Sequence, residues 1–191
     1  MAEQTFTSGQ ILTAAQMTTL QTNTGLAYVT SGSFTTSALT NIDNCFTSTY
    51  RNYRIIIDIT AATGAGAQII STQLRSGGTA ATGSNYLYAR SGFTYAGVAA
   101  SDVSGASTTY FFFNRSNGSG SVGGASTSTI DIHAPQLAQP TWVSGTVADG
   151  SYAGSVGGYH NLSTSYDGFN IATTTALTTV TGIYRVYGYR D

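Results

Sequence analysis

Two histidines, one cysteine and a scatter of aspartates carry the most versatile chemistry in this chain. Asp131 and His133 stand two residues apart in a run of strand character, so their side chains share one face, and with His160 they make a trio of types that a metal ion accepts. No CxxC, HExxH or carboxylate cluster closes a shell around them, and the plainer expectation is a solvated polar face. Cys45 with either histidine has the types of a nucleophile and its base. Its flanking Asn44 and Phe46, next to apolar strand residues, describe instead a small buried thiol of the inert kind. No serine lies in a GxSxG elbow. Asp43, Asp58, Asp102, Asp131, Asp149 and Asp167 fall at turns or strand faces, and no two of them stand out as the paired carboxylates of glycoside hydrolysis. The expectation is therefore no catalytic, cofactor-binding or metal-binding residues, no cofactor, and a protein that is not an enzyme.

Glycine-rich stretches at Gly64-Ala65-Gly66 and from Gly118 to Gly124 lack the preceding strand and following capped helix of a phosphate loop and read as turns. Aromatic residues are the stronger signal. Tyr86, Tyr88, Phe93, Tyr95, Tyr110, Phe112, Trp142, Tyr152 and Tyr159 lie among Asn, Ser and Gly, the mixture of adaptable binding surfaces. Two readings follow from them: stacking platforms for sugar, or rings that fill a core or a subunit interface.

The elements that must position these groups are nearly all strands. Near the start, Thr13 caps a short helix beginning at Ala14, Gln16 completes a capping box, and Leu12 and Met17 take the staple positions. Gly25 offers a left-handed stop, and a helix of about three turns needs something to dock on. The extended Glu3–Gln10 segment before it favours contact with neighbours. From Leu26 onward, runs of strand type alternate with turn chemistry. They are Leu26–Thr30, Ser33–Thr40, Tyr53–Ala61, Ala67–Arg75, Tyr86–Arg90, Phe93–Val98, Thr108–Asn114, Thr127–His133, Thr141–Val147, Ser151–Leu162, Gly168–Thr174 and Thr179–Tyr189. In the third, alternation places Tyr53, Ile55, Ile57 and Ile59 on one face and Arg54, Ile56 and Asp58 on the other. Asn117-Gly118, Asp149-Gly150 and Asp167-Gly168 are hairpin dipeptides. Eight to twelve strands at this spacing imply an all-β fold, an antiparallel two-sheet sandwich of jelly-roll-like kind, with an open barrel second. Residues 1–25 then form an N-terminal arm and short helix, and residues 26–191 the sandwich domain.

Composition agrees with that class and excludes several partners. The chain has no lysine, a single glutamate (Glu3), seven arginines and 23 glycines, and more than a quarter of it is serine or threonine. Such a balance suits pleated surfaces and small-residue loops rather than exposed helices. Apolar residues make up 41% of the 191 positions, enough for one sizeable core. A net charge of −1 with 8% charged residues offers no basic stripe to a phosphate backbone, so nucleic acid is not expected as a partner. It also leaves little repulsion between identical copies. No apolar run reaches the roughly 20 residues of a membrane span, and Met1-Ala2-Glu3-Gln4 lacks signal-peptide character, so a soluble chain made in the cytoplasm is expected.

Three stretches carry a resemblance. Phe6-Thr7-Ser8-Gly9-Gln10-Ile11-Leu12-Thr13-Ala14-Ala15-Gln16-Met17, Cys45–Ile57 and Ile183–Arg190 together resemble small structural proteins of tailed bacteriophages. The resemblance implies an outer virion component, either a capsid decoration (cement) protein or part of a tail fibre or knob. Such proteins are typically β-sandwiches assembled around a three-fold axis. It further implies a homotrimer, phage capsid or tail proteins as partners and location on the virion. A fibre or knob subunit would bind host surface glycan through exposed aromatics. No functional residue is carried over, because none of the three stretches is a site motif.

Overall fold

Alternation decides the centre of the fold. In β3 (Asn52–Thr63) the side chains of Tyr53, Ile55, Ile57 and Ile59 are buried, while Arg54, Ile56 and Asp58 on the opposite face stay half-buried, as expected from the sequence. The computed structural model describes residues 8–9, 11, 13–22, 25–36, 39–63, 67–95, 103–117, 124–150, 152–173 and 179–190. Around β3 stand β1 (Leu26–Thr36), β2 (Leu39–Ile42), β4 (Ala67–Thr72), β5 (Leu74–Ser76), β6 (Thr79–Ala80), β7 (Tyr86–Thr94) and β8 (Val103–Thr108). The rest are β9 (Phe111–Asn117), β10 (Ser126–His133), β11 (Thr141–Asp149), β12 (Tyr152–His160), β13 (Gly168–Thr173) and β14 (Thr179–Tyr189). They form an all-β sandwich of two antiparallel sheets packed together.

The larger sheet runs β1-β14-β3-β10-β11-β12-β7-β8, and the smaller runs β6-β5-β13-β4-β9, with β2 on the other side of β13. The chain passes repeatedly from one sheet to the other, so each sheet is built from distant segments. The core between them combines the inner row of β3 with Ile130 and Ile132 of β10, Phe111 and Phe113 of β9, and Phe169 and Ile171 of β13. Three consecutive phenylalanines, Phe111 to Phe113, are all buried. A β-bulge allows this: Ile70 pairs Asn114 and Ser71 pairs Phe112, so Phe113 falls between rungs and its ring can stack on Phe111 at 5.5 Å.

The helix α1 (Ala14–Thr22) has the expected capping box: Gln16 N–H donates to Thr13 Oγ1 at 3.2 Å and Thr13 N–H donates to Gln16 Oε1 at 3.0 Å. Leu12 of the staple, most of the arm, Gly64-Ala65-Gly66, the Asn117-Gly118 turn beyond Asn117, residues 96–98 of the Phe93 strand, and Asp102 lie outside the described residues. Gly25, with φ of 22°, stands just before β1, its carbonyl accepting a hydrogen bond from Arg190 N–H at 3.0 Å.

Several boundaries differ from the sequence reading, each for a packing reason. Ser31-Gly32 does not break β1, because Gly32 lets the Tyr184 ring lie on the strand; a Cβ there would sit 2.8 Å from the Tyr184 hydroxyl. Likewise β7 continues through Gly92, whose missing side chain admits the Ala153 carbonyl of β12. Ala67–Arg75 divides at Gln73, which leaves the ladder to bond Asn170: its N–H reaches Asn170 Oδ1 at 2.9 Å and its carbonyl accepts Asn170 N–H at 2.9 Å. Thr108 closes β8, an edge strand the sequence did not announce, and β9 starts after it. Asp149-Gly150 does join the hairpin β11–β12. Asp167-Gly168 does not close one; it leads into β13, and the Asp167 carboxylate accepts the Gly77 N–H at 2.9 Å. The unforeseen tight turn is Gly77-Gly78, with φ of 55° and 79°, the pair of left-handed residues that a two-residue hairpin between β5 and β6 requires.

The two faces of β3 give a contrast that is measurable. Ile57→Ala should cost about 2–5 kcal/mol in urea unfolding, as expected for a fully buried isoleucine, whereas Ile56→Ala should cost well under half of that. Equal losses at the two positions would contradict the assigned faces.

Candidate functional site

The residues with catalytic or metal-binding chemistry are held apart by the strand faces on which they fall. Asp131 and His133 do share the outer face of β10, opposite Ser144 and Trp142 of β11. His160, at the end of β12, is instead fully buried between the sheets, so the trio is not brought together. Its Nδ1 lies 3.1 Å from the Tyr166 hydroxyl and its ring meets Tyr86 edge-on at 4.4 Å. Burial among these rings lowers the His160 pKa, keeping the imidazole neutral. Among the described residues, no three or more His, Cys, Asp or Glu side chains gather in a way that could hold a metal ion.

Cys45 is buried beside Phe46, its Sγ 3.9 Å from the Ile42 carbonyl. Burial pushes the thiol up to about 12, far from the thiolate a nucleophile needs, so the small-hydrophobe expectation holds. The carboxylates serve local pairs. Asp43 takes the nearly buried Arg75 at 2.6 Å, and Arg75 also donates to the Gly78 carbonyl, tying the β5–β6 hairpin to the segment after β2. Asp58 takes Arg185 at 2.7 Å and the Thr127 hydroxyl at 2.7 Å.

On the outer face of the larger sheet, neighbouring strands bring Tyr187, Arg54, Asp131 and Ser144 into one cross-strand row. Arg54 grips Asp131 with both arms, at 2.8 and 2.9 Å, and the Tyr189 hydroxyl donates to the same carboxylate at 2.6 Å. Partial burial works to raise the Asp131 carboxyl, but the hydrogen bonds from Arg54 and Tyr189 outweigh it and hold the group below its ordinary range. Tyr189 responds oppositely, pushed up to about 12 by burial and by its bond to the carboxylate. This network joins β14, β3 and β10, and it leaves Asp131 committed rather than free to ligate or transfer protons.

Beyond the network, the face changes character toward β12 and β7. Trp142, 54% exposed, stacks on Tyr159 with centroids 4.5 Å apart and planes at 28°. Next to Tyr159 opens a groove of about 340 Å³, lined by Leu87 and Ala89 of β7, Ser104, Gly105 and Ala106 of β8, and Gly157 of β12. A second hollow over Ser91 and Ser155 shares Ala89, Ser104 and Gly157 with the first and continues it.

The structure divides the aromatic residues singled out in the sequence. Tyr86, Tyr88 and Phe112 are buried, and Tyr110 and Tyr152 pack against the core. Phe93, Tyr95 and Trp142 are exposed and Tyr159 is half-buried. Five of the nine therefore fill or flank the core, and the four at the surface suit a sugar platform and a subunit interface alike. The groove residues Ala89 and Gly157 were not singled out. Their signal was small residues at alternate positions of two strands, Ala89-Arg90-Ser91 and Ser155-Val156-Gly157, directly before Tyr159.

Compared with family models, with curated proteins and with solved structures, the chain has no match.

The buried imidazole sets a pH dependence. The unfolded chain protonates His160 near its ordinary pKa of about 6.5, while the folded chain resists, so stability must fall as pH drops through that value. Urea midpoints measured from pH 7.5 to 5.5 should decline more steeply for the wild type than for His160→Gln. Parallel declines would show that the histidine is not held neutral by the fold.

Proposed function

We propose that this chain is a non-enzymatic structural subunit on the exterior of a tailed-bacteriophage particle, acting as a capsid decoration (cement) protein. The observation that carries the reading is the N-terminal element. Helix α1 has a complete capping box, yet Thr13, Ala14, Ala15, Met17 and Thr18 are all exposed, and Ile11 just before it is 89% exposed. Nine residues do not hold a helix in water by themselves. A capped helix that shows its apolar side chains to solvent is shaped to be seated on another protein. The stretches that carry the resemblance overlap the start of this helix at Ala14–Met17 and the central strands β3 and β14, which pair with each other.

Further support comes from the sandwich. In it, Cys45 and His160 are absorbed in packing, and Asp43, Asp58 and Asp131 in ion pairs. Its near-zero net charge places no long-range repulsion between copies packed side by side, as in a trimer around a three-fold axis.

Copy number separates the two positions on the particle. Quantitative mass spectrometry of purified virions should give a number comparable to the major capsid protein, whereas a few to a few tens of copies would make the chain a tail fibre or knob subunit. Absence from the particle would overturn the structural reading altogether. Deleting residues 1–25 should abolish incorporation and leave the sandwich folded; incorporation of the truncated chain would refute the seating role of the helix.

A further inference from the structure

We infer that the groove beside Tyr159, whose ring is backed by Trp142, is a binding site for a neutral glycan, whose pyranose ring stacks against Tyr159 and lies over Gly157. The site belongs to the sandwich and is the same whether the subunit sits on a head or a tail. Four features of the geometry converge on that ligand.

The first is the platform. An indole and a phenol ring stacked on neighbouring strands, with Trp142 more than half exposed, present rigid apolar surface at little entropic cost. The C–H face of a pyranose is the complement of such a surface, and its hydroxyls remain free for the rim. The second is the space. Most glycines in these strands are required by backbone packing: a Cβ at Gly158 would strike the Leu87 carbonyl, and one at Gly145 the Thr129 carbonyl. Gly157 differs. A Cβ there would meet only the Val143 carbonyl, at 3.8 Å, which is ordinary contact. No described residue demands glycine at this point, and its effect is to keep the groove floor open next to Tyr159.

The third feature is the rim. Ser91, Ser104 and Ser155 border the continuous hollow, with the Ser91 and Ser155 hydroxyls 3.3 Å apart. Hydroxyls both donate and accept, which matches sugar hydroxyls of either sense. The fourth is charge. Arg90, the one ionic residue among the described residues that line the hollow, is 4% exposed and its guanidinium lies inward between the Phe112 and Tyr152 rings at 4.5 and 4.6 Å. Among the described residues a carboxylated or phosphorylated ligand would find no outward-facing counter-charge, whereas a neutral saccharide needs none. Under the groove floor β12 and β7 are hydrogen-bonded on both sides, so a peptide strand added by β-augmentation would pair at the outer edge of β8 and not lie over Gly157.

Trp142 is the single tryptophan of the sequence, so indole fluorescence reports on the proposed platform alone. Full-length protein should be titrated with oligosaccharides of glucose, galactose, mannose and N-acetylglucosamine, and with polygalacturonate as an anionic counterpart. The expected result is a saturable change in indole emission with at least one neutral sugar and none with polygalacturonate. Gly157→Val, which fills the floor, should weaken binding at least about tenfold with unchanged circular dichroism and melting temperature. Tyr159→Ala should do the same by removing half of the platform, and it keeps the test open if the valine variant folds poorly. Phe93→Ala, an exposed aromatic off the platform, should bind as the wild type does. Silence across every neutral sugar, preference for the anionic polymer, or binding undiminished in both groove variants would overturn the proposal. So would sedimentation showing that the groove is covered by a second copy, with association lost in Gly157→Val.

Discussion

The inner row of β3 is the constraint on which the rest of the molecule depends. Tyr53, Ile55, Ile57 and Ile59 lie between β14 on one side and β10 on the other, and every further strand of the larger sheet takes its register from those two pairings. A one-residue slip would turn all four side chains to solvent and bring Arg54 and Asp58 into the core, so the register is strongly specified. Tyr53 shows how closely the row is fitted. Its buried hydroxyl donates to the Thr47 carbonyl and accepts the Thr47 N–H, both at 2.6 Å, while its ring meets Phe46 at 4.9 Å. The loop after Cys45 is thereby fastened to the core without a disulfide.

Once that row faces inward, the outer face is determined, and with it what the polar residues can do. Arg54 and Asp58 are carried outward by the same alternation that buries the isoleucines. There they meet Asp131 and Arg185 from the flanking strands. Pairs of this exposure contribute little to stability individually, on the order of 0–1 kcal/mol each, but they use up the charged groups nearest the centre of the sheet. The uncharged region left over lies toward β12 and β7, where the aromatic pair and the open groove are found. Core register and surface chemistry are in this sense one decision.

Much of this was legible in the chain where a rule of short range governs. The alternation of Tyr53–Ile59, the capping box of Thr13 and Gln16, the Asp149-Gly150 hairpin and the burial of Cys45 all follow from residues within a few positions of each other. What could not be read depends on partners distant in sequence. Gly32 and Gly92 look like turn residues until the Tyr184 ring and the β12 backbone are placed against them. His133 and His160 each end a strand, and the alternation of β10 and β12 sends the first to the outer face and the second into the core. Gly157 is indistinguishable in sequence from Gly158, though one is required by packing and the other leaves a space.

The account holds that the sandwich is a self-sufficient body organised on β3, and that α1 is an element awaiting an external seat. Amide hydrogen exchange on the free subunit tests this most directly, since it reports opening free energies segment by segment. The slowest amides should lie in β3, β10 and β14, and those of residues 17–22 should exchange as fast as the least protected loops. Protection of the helix equal to that of β3 would contradict the account, because the helix would then already be docked within its own subunit.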